Sequence, residues 1–142
     1  MGVRRFTLGI VVCLLLSGAC QRQTPHDRFA CENLEDATQT KIFVIEGVGR
    51  ALENNANTEN ALAHAKAYLH TTAAPLERCT HMIEQSFQNM PSEDVLAYHE
   101  RFIQDPRVKA FLDKQDIFLE HATPEQAETL NTLLNPLLLL AE

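Results

Sequence analysis

An all-α fold, a single bundle of about five to six helices, follows from three features of this 142-residue chain. From residue 33 onward the apolar residues recur at helical rather than strand spacing. The periodic runs are separated by cap and turn signals rather than by long loops. Finally, the chain holds only five glycines, Gly2 and Gly18 among them, which argues against a loop-rich β module.

The first helix is expected over about Asn33–Glu53, with Leu34, Ala37, Ile45, Val48 and Leu52 on one face and Asn54–Thr58 ending it. Within it, Ile42–Ile45 is apolar enough for a strand, but no second run offers a partner, so helix is the expectation throughout. Gly47 and Gly49 mark a turn or a place where another helix comes close. The second helix, about Thr58–Thr72, carries Ala61, Leu62, Ala65, Tyr68 and Leu69 on a narrow face that permits close packing. Pro75 suits the first turn of a third, with Leu76, Cys79, Ile83, Phe87 and Met90 in register. Ser92 is expected to cap a fourth, with Glu93 and Asp94 where acids favour the helix dipole. Asp105–Pro106 opens a fifth, carrying Val108, Phe111, Leu112, Phe118 and Leu119. Thr123–Gln126, "TPEQ", combines a capping box with Pro at the first helical position and opens a sixth with Ala127, Leu130, Leu133 and Leu134. Pro136 is then expected to interrupt it before "LLLLA".

The N-terminus has a separate logic. Arg4 and Arg5 precede an uncharged apolar run, Phe6–Leu16, and then the small residues Ser17, Gly18 and Ala19. Those are the three parts of a secretory signal, and the run is shorter than the ~20 residues a spanning helix needs. "LLSGAC" resembles a bacterial lipobox, in which a cysteine is acylated and becomes the mature N-terminus. Ser17 stands where that pattern usually has Leu. Ser17 and Ala19 also satisfy the small-x-small rule of ordinary signal peptidase, which would leave Cys20 a free thiol. Cysteine pairing favours the lipobox: Cys13 leaves with the signal, and lipid on Cys20 leaves Cys31 and Cys79 to form the disulfide expected outside the cytoplasm. The domains read from this are a signal peptide at 1–19, a lipidated N-terminus and short tether at 20–31, and an α-helical domain at 32–142. The resemblance implies palmitate-type acylation. Gln21, which is not Asp, implies the outer membrane, with the domain facing the periplasm.

Loss of residues 1–19 leaves ten basic against nineteen acidic residues, a net charge of −9. Such a domain is repelled by phosphate backbones, so nucleic acid is not an expected partner. Glu77, His81 and Glu84 share a helix face and are the weak candidates for a metal site, but position 81 lies far round the wheel from Cys79, on the solvated side. His64 and His70 diverge. His99 falls in register with Val95 and Phe102 as a core or boundary residue. Asp113, Asp116 and Glu120 read as a charged outer face. The sequence has no haem-attachment, zincin, nucleophile-elbow or nucleotide-binding motif.

No cofactor and no catalysis are therefore expected. In size and layout the mature chain resembles secretion-system pilotins, small helical lipoproteins that escort secretins, although no pilotin motif residue is matched. That likeness implies a membrane-anchored accessory module with an envelope protein as partner. Leu137, Leu138, Leu139 and Leu140 either plug the bundle's end or form a patch for that partner. The runner-up expectation is a helical module holding lipid, haem or a metal, lined by Tyr68, Met90 and His99.

Overall fold

The computed structural model describes residues 29–53 and 57–138, and these form five helices with no strand among them. The signal segment, Cys20, most of the expected tether, and Leu139 and Leu140 lie outside the described residues. In chain order the helices are α1 (Leu34–Glu53), α2 (Thr58–Gln88), α3 (Ser92–Gln104), α4 (Pro106–His121) and α5 (Pro124–Leu138). None of them is long and apolar enough to cross a membrane.

α1 is the axis of the bundle. The sequence suggests one apolar face, but Thr38, Thr40, Lys41, Ile42, Val44, Gly47 and Gly49 are buried along with Ala37, Ile45, Val48 and Leu52. A helix covered on nearly every side needs small residues where its neighbours approach. Gly47 faces Tyr68 of α2, and Gly49 faces Phe111 and Lys114 of α4. The two glycines are thus the close-approach positions, and the "KIFVIEGVG" segment is helical throughout.

α2 joins what the sequence divides into two helices. It runs for 31 residues, about 46 Å at 1.5 Å per residue, straight through Pro75. A proline inside a helix loses one backbone hydrogen bond and crowds the preceding turn, at a cost of about 3 kcal/mol. Packing overrides that cost here. The buried residues Ala61, Ala65, Thr72, Leu76, Cys79 and Ile83 form one seam that crosses Pro75 without a change of register. Cys31 and Cys79 are at bonding distance with their Cα atoms 5.0 Å apart, within the normal range for a disulfide. They fasten the start of the domain to the far half of α2. The docked segment extends further back than the expected boundary, since Phe29 packs edge-on against Phe43 at 5.8 Å and the Thr40 hydroxyl donates to the Ala30 carbonyl at 2.8 Å.

The remaining helices start much as their caps dictate. Asn57 accepts from the Asn60 amide at the head of α2. Ser92 is not the cap of α3; Pro91 holds that position without a side-chain bond, its carbonyl receiving the Asp94 and Val95 amides. The ring of Pro91 already fixes the entry angle, so the Ser92 hydroxyl is not required. Asp105 caps α4, with Pro106 in its first turn. At α5 the capping box is complete: the Gln126 amide donates to Thr123 Oγ1 at 3.3 Å, and the Thr123 amide donates to Gln126 Oε1 at 3.0 Å.

Pro136 does not end α5, which continues to Leu138. Pro136 and Thr132, whose carbonyl loses its partner, both lie on the exposed side, where water can take the free carbonyl. Leu137 is fully buried with Leu130 and Leu134, and Leu138 is half-buried. Leu137 therefore follows the plug alternative for the leucine run.

Candidate functional site

The groups with most chemical potential meet where α1, α2 and α3 converge. α3 buries only Tyr98 and Phe102, and both reach an aromatic cluster completed by Phe87 of α2. Phe87 meets Tyr98 edge-on at 5.0 Å and His99 at 5.4 Å, while Tyr98 and Phe102 stack at 6.4 Å. Thr38 of α1 ties this cluster to the axis. Its hydroxyl lies 2.6 Å from the Leu34 carbonyl and 2.8 Å from Tyr98 Oη, so with Thr38 donating to the carbonyl, Tyr98 donates to Thr38.

Lys41 lies beside this cluster and is only 3% exposed. Its ammonium sits over the Phe102 ring, 5.5 Å from the centroid. Burial pushes its pKa down to about 8, with the charge of Glu84 opposing the shift. Lys41 belongs to none of the ion pairs among the described residues, and Glu84 instead lies 3.9 Å from His81. The His99 ring is half-buried, and its Nδ1 is buried without a hydrogen-bond partner. Desolvation, reinforced by the positive charge of Lys41, lowers the His99 pKa. An open cleft of about 660 Å³ is lined by Glu84, Phe87, Met90, Val95, Leu96 and His99 among others; Lys41 is not part of its lining.

Of the three residues expected to line a ligand site, His99 and Met90 do meet in this cleft. Tyr68 does not, because its ring is turned against Gly47 and its hydroxyl is buried without a partner. His99 is a boundary residue, as its register suggests, but one ring nitrogen is left unsatisfied. The missed residue is Lys41, which occupies the core register of α1 between Ala37 and Ile45.

Glu77, His81 and Glu84 line a different groove of about 760 Å³, between α2 and α5, with Leu69, Leu76, Leu133 and Pro136. His81 is solvated; its Nε2 is 2.9 Å from the Gln85 amide nitrogen. No group of three His, Cys, Asp or Glu among the described residues is placed to hold a metal. His64, His70, Asp113, Asp116 and Glu120 are all exposed.

Comparison with known proteins adds no relative: no family model matches the chain, and neither the curated proteins nor the solved structures yield a similar one.

Proposed function

We propose that this chain is a lipid-anchored protein of the bacterial cell envelope, acylated at Cys20 and held at the outer membrane facing the periplasm. Its task is non-catalytic, an accessory or structural role carried out through contact with another envelope protein. The observation that carries the contact reading is the outer face of α3. Leu96 is 65% exposed and Ile103 45% exposed, and they stand two turns apart on the same side of the helix. Large aliphatic side chains aligned on a helix that buries only two residues of its own fit a surface awaiting a partner. The N-terminal signal with its lipobox-like "LLSGAC" supports the address, and the Cys31–Cys79 pair suits an oxidising compartment.

Photocrosslinking in intact cells from positions 96 and 103 tests the reading. A discrete protein adduct from both positions, absent from a crosslinker placed at the exposed Asp113 and lost on Cys20→Ala, is the expected result. Equal crosslinking from all three positions, or adducts unchanged by Cys20→Ala, would count against it.

A further inference from the structure

The two exposed aliphatic side chains of α3 belong to a longer seam. Glu93, Leu96, Glu100 and Ile103 follow one another at intervals of three, four and three residues. That alternation keeps successive side chains on one stripe of a helix, and it is the spacing by which one helix pairs with another. The stripe lies on the side of α3 opposite Tyr98 and Phe102, the two residues the helix buries, and all four of its members are exposed. An exposed helix face ordinarily sets its carboxylates three or four residues from a cation. Neither glutamate has a Lys or Arg at such a position, and Arg101, the one Lys or Arg of α3, follows Glu100 directly and so points to another side. Neither takes part in an ion pair among the described residues. Glu93 also suits the first turn of α3, but Glu100 stands two turns beyond it.

We propose that this seam docks an amphipathic helix of the partner protein, one whose facing stripe carries Lys or Arg opposite Glu93 and Glu100 and aliphatic side chains opposite Leu96 and Ile103. The inference rests on the protein-contact reading and adds to it the chemistry of the partner. Apolar contact at Leu96 and Ile103 supplies the burial, and the two carboxylates choose what may approach. A second copy of this chain would bring its own glutamates to the seam, so like charges disfavour self-pairing there. An anionic lipid surface is repelled by the same carboxylates on a chain that is acidic overall. A basic, aliphatic helix meets both requirements at once.

The test combines photocrosslinking of the full chain in intact cells, from position 96 or 103, with the double variant Glu93→Lys and Glu100→Lys. The yield of the protein adduct should fall by roughly tenfold or more, because like charges would then face one another. Asp113→Lys with Asp116→Lys makes the same change of charge on exposed positions of α4 and should leave the yield unchanged. Peptide mapping of the wild-type adduct should place the crosslink in a segment where Lys or Arg and aliphatic residues alternate at the same three-and-four spacing. Circular dichroism and thermal melting monitor folding. Glu100→Lys alone, away from the first turn of α3, gives a second reading with a partial loss expected. An adduct that survives charge reversal in the folded variants would overturn the partner's chemistry while leaving the contact reading intact. So would an equal loss from the α4 variant, or a crosslink mapped to an acidic segment, to lipid or to a second copy of this chain. Absence of any discrete adduct from the wild type would overturn the contact reading itself and this inference with it.

Discussion

The Tyr68 ring lies over Gly47 so closely that a Cβ at position 47 would fall well inside the 3.0 Å that real Cβ atoms keep from their neighbours. This contact sets the approach of α2 to α1. Gly47→Ala is expected to destabilise by about 1–3 kcal/mol through overpacking, and much of that loss should vanish when Tyr68→Ala is combined with it. A double-mutant cycle in urea reads the coupling; additive losses would show that the ring does not set the helix spacing.

Tyr68→Phe should behave in the opposite way to most core changes. The hydroxyl is buried without a partner, and burial raises its pKa. Removing it leaves no orphaned group behind, so stability should be unchanged or rise by about 1 kcal/mol. Urea denaturation of the single variant checks this.

Lys41 makes the stability of the domain depend on alkaline pH. Its pKa is about 8 in the folded chain against about 10.4 when unfolded. Between those values the unfolded chain holds more protons, so stability rises with pH across the window; below it, both states are charged and the full burial penalty stands. Tyr68 and Tyr98, with raised pKa values, act in the opposite sense at the upper end of the range. The difference between wild type and Lys41→Met removes their contribution. Lys41→Met is expected to be more stable by about 3 kcal/mol at pH 7, and the gap should close as pH rises from 8 towards 10.5. A gap that stays constant across that range would contradict the account.

The Cys31–Cys79 bond closes a loop with a sequence separation of 48. Replacing both cysteines with Ala should cost about 4 kcal/mol on the chain-entropy account. The loss should appear equally on adding reductant to the wild type and not at all on adding it to the double variant, measured as the urea midpoint in each case.

At the α3–α4 corner, Asp105 accepts from the Arg107 amide at 2.8 Å and from its guanidinium at 2.8 and 3.0 Å, and Arg107 in turn donates to Gln39 of α1 at 2.9 Å. The hydrogen bonds from Arg107 hold the Asp105 carboxyl below its ordinary pKa. Its stabilisation is therefore complete above the unfolded carboxylate value of about 3.9 and is lost as pH falls through the lower folded value. Asp105→Ala should cost about 1 kcal/mol at pH 7, as a lost cap, and converge with wild type in strong acid. Parallel acid titrations of the two proteins followed by circular dichroism would show it.

The fold was largely legible in the sequence because local signals and packing agree over most of the chain. The Thr123–Gln126 capping box, the Asp105–Pro106 start and the Gly47–Gly49 close approach all rest on chemistry written within a few residues. The two prolines misled for one reason. Pro75 and Pro136 are local breakers, whereas the seams of α2 and α5 that carry the helix past them are tertiary. The candidate site was half legible. His99 and Met90 could be named from register, but Lys41 could not, because a lysine is ordinarily assigned to the surface. The signal was nevertheless present as a gap: the α1 core series steps from Ala37 to Ile45, and position 41 is the step the helical period demands. The partnerless Nδ1 of His99 depends on how α3 lies against α1 and α2, which no spacing within α3 records.

The central claim, a lipid-anchored module built on a disulfide-stapled helical bundle, is tested most directly by the intact mass of the protein extracted gently from membranes, with and without reductant. The account predicts a chain that begins at Cys20, carries acyl groups, and gains two hydrogens on reduction. An unacylated chain, or one that retains residues 1–19, would contradict it.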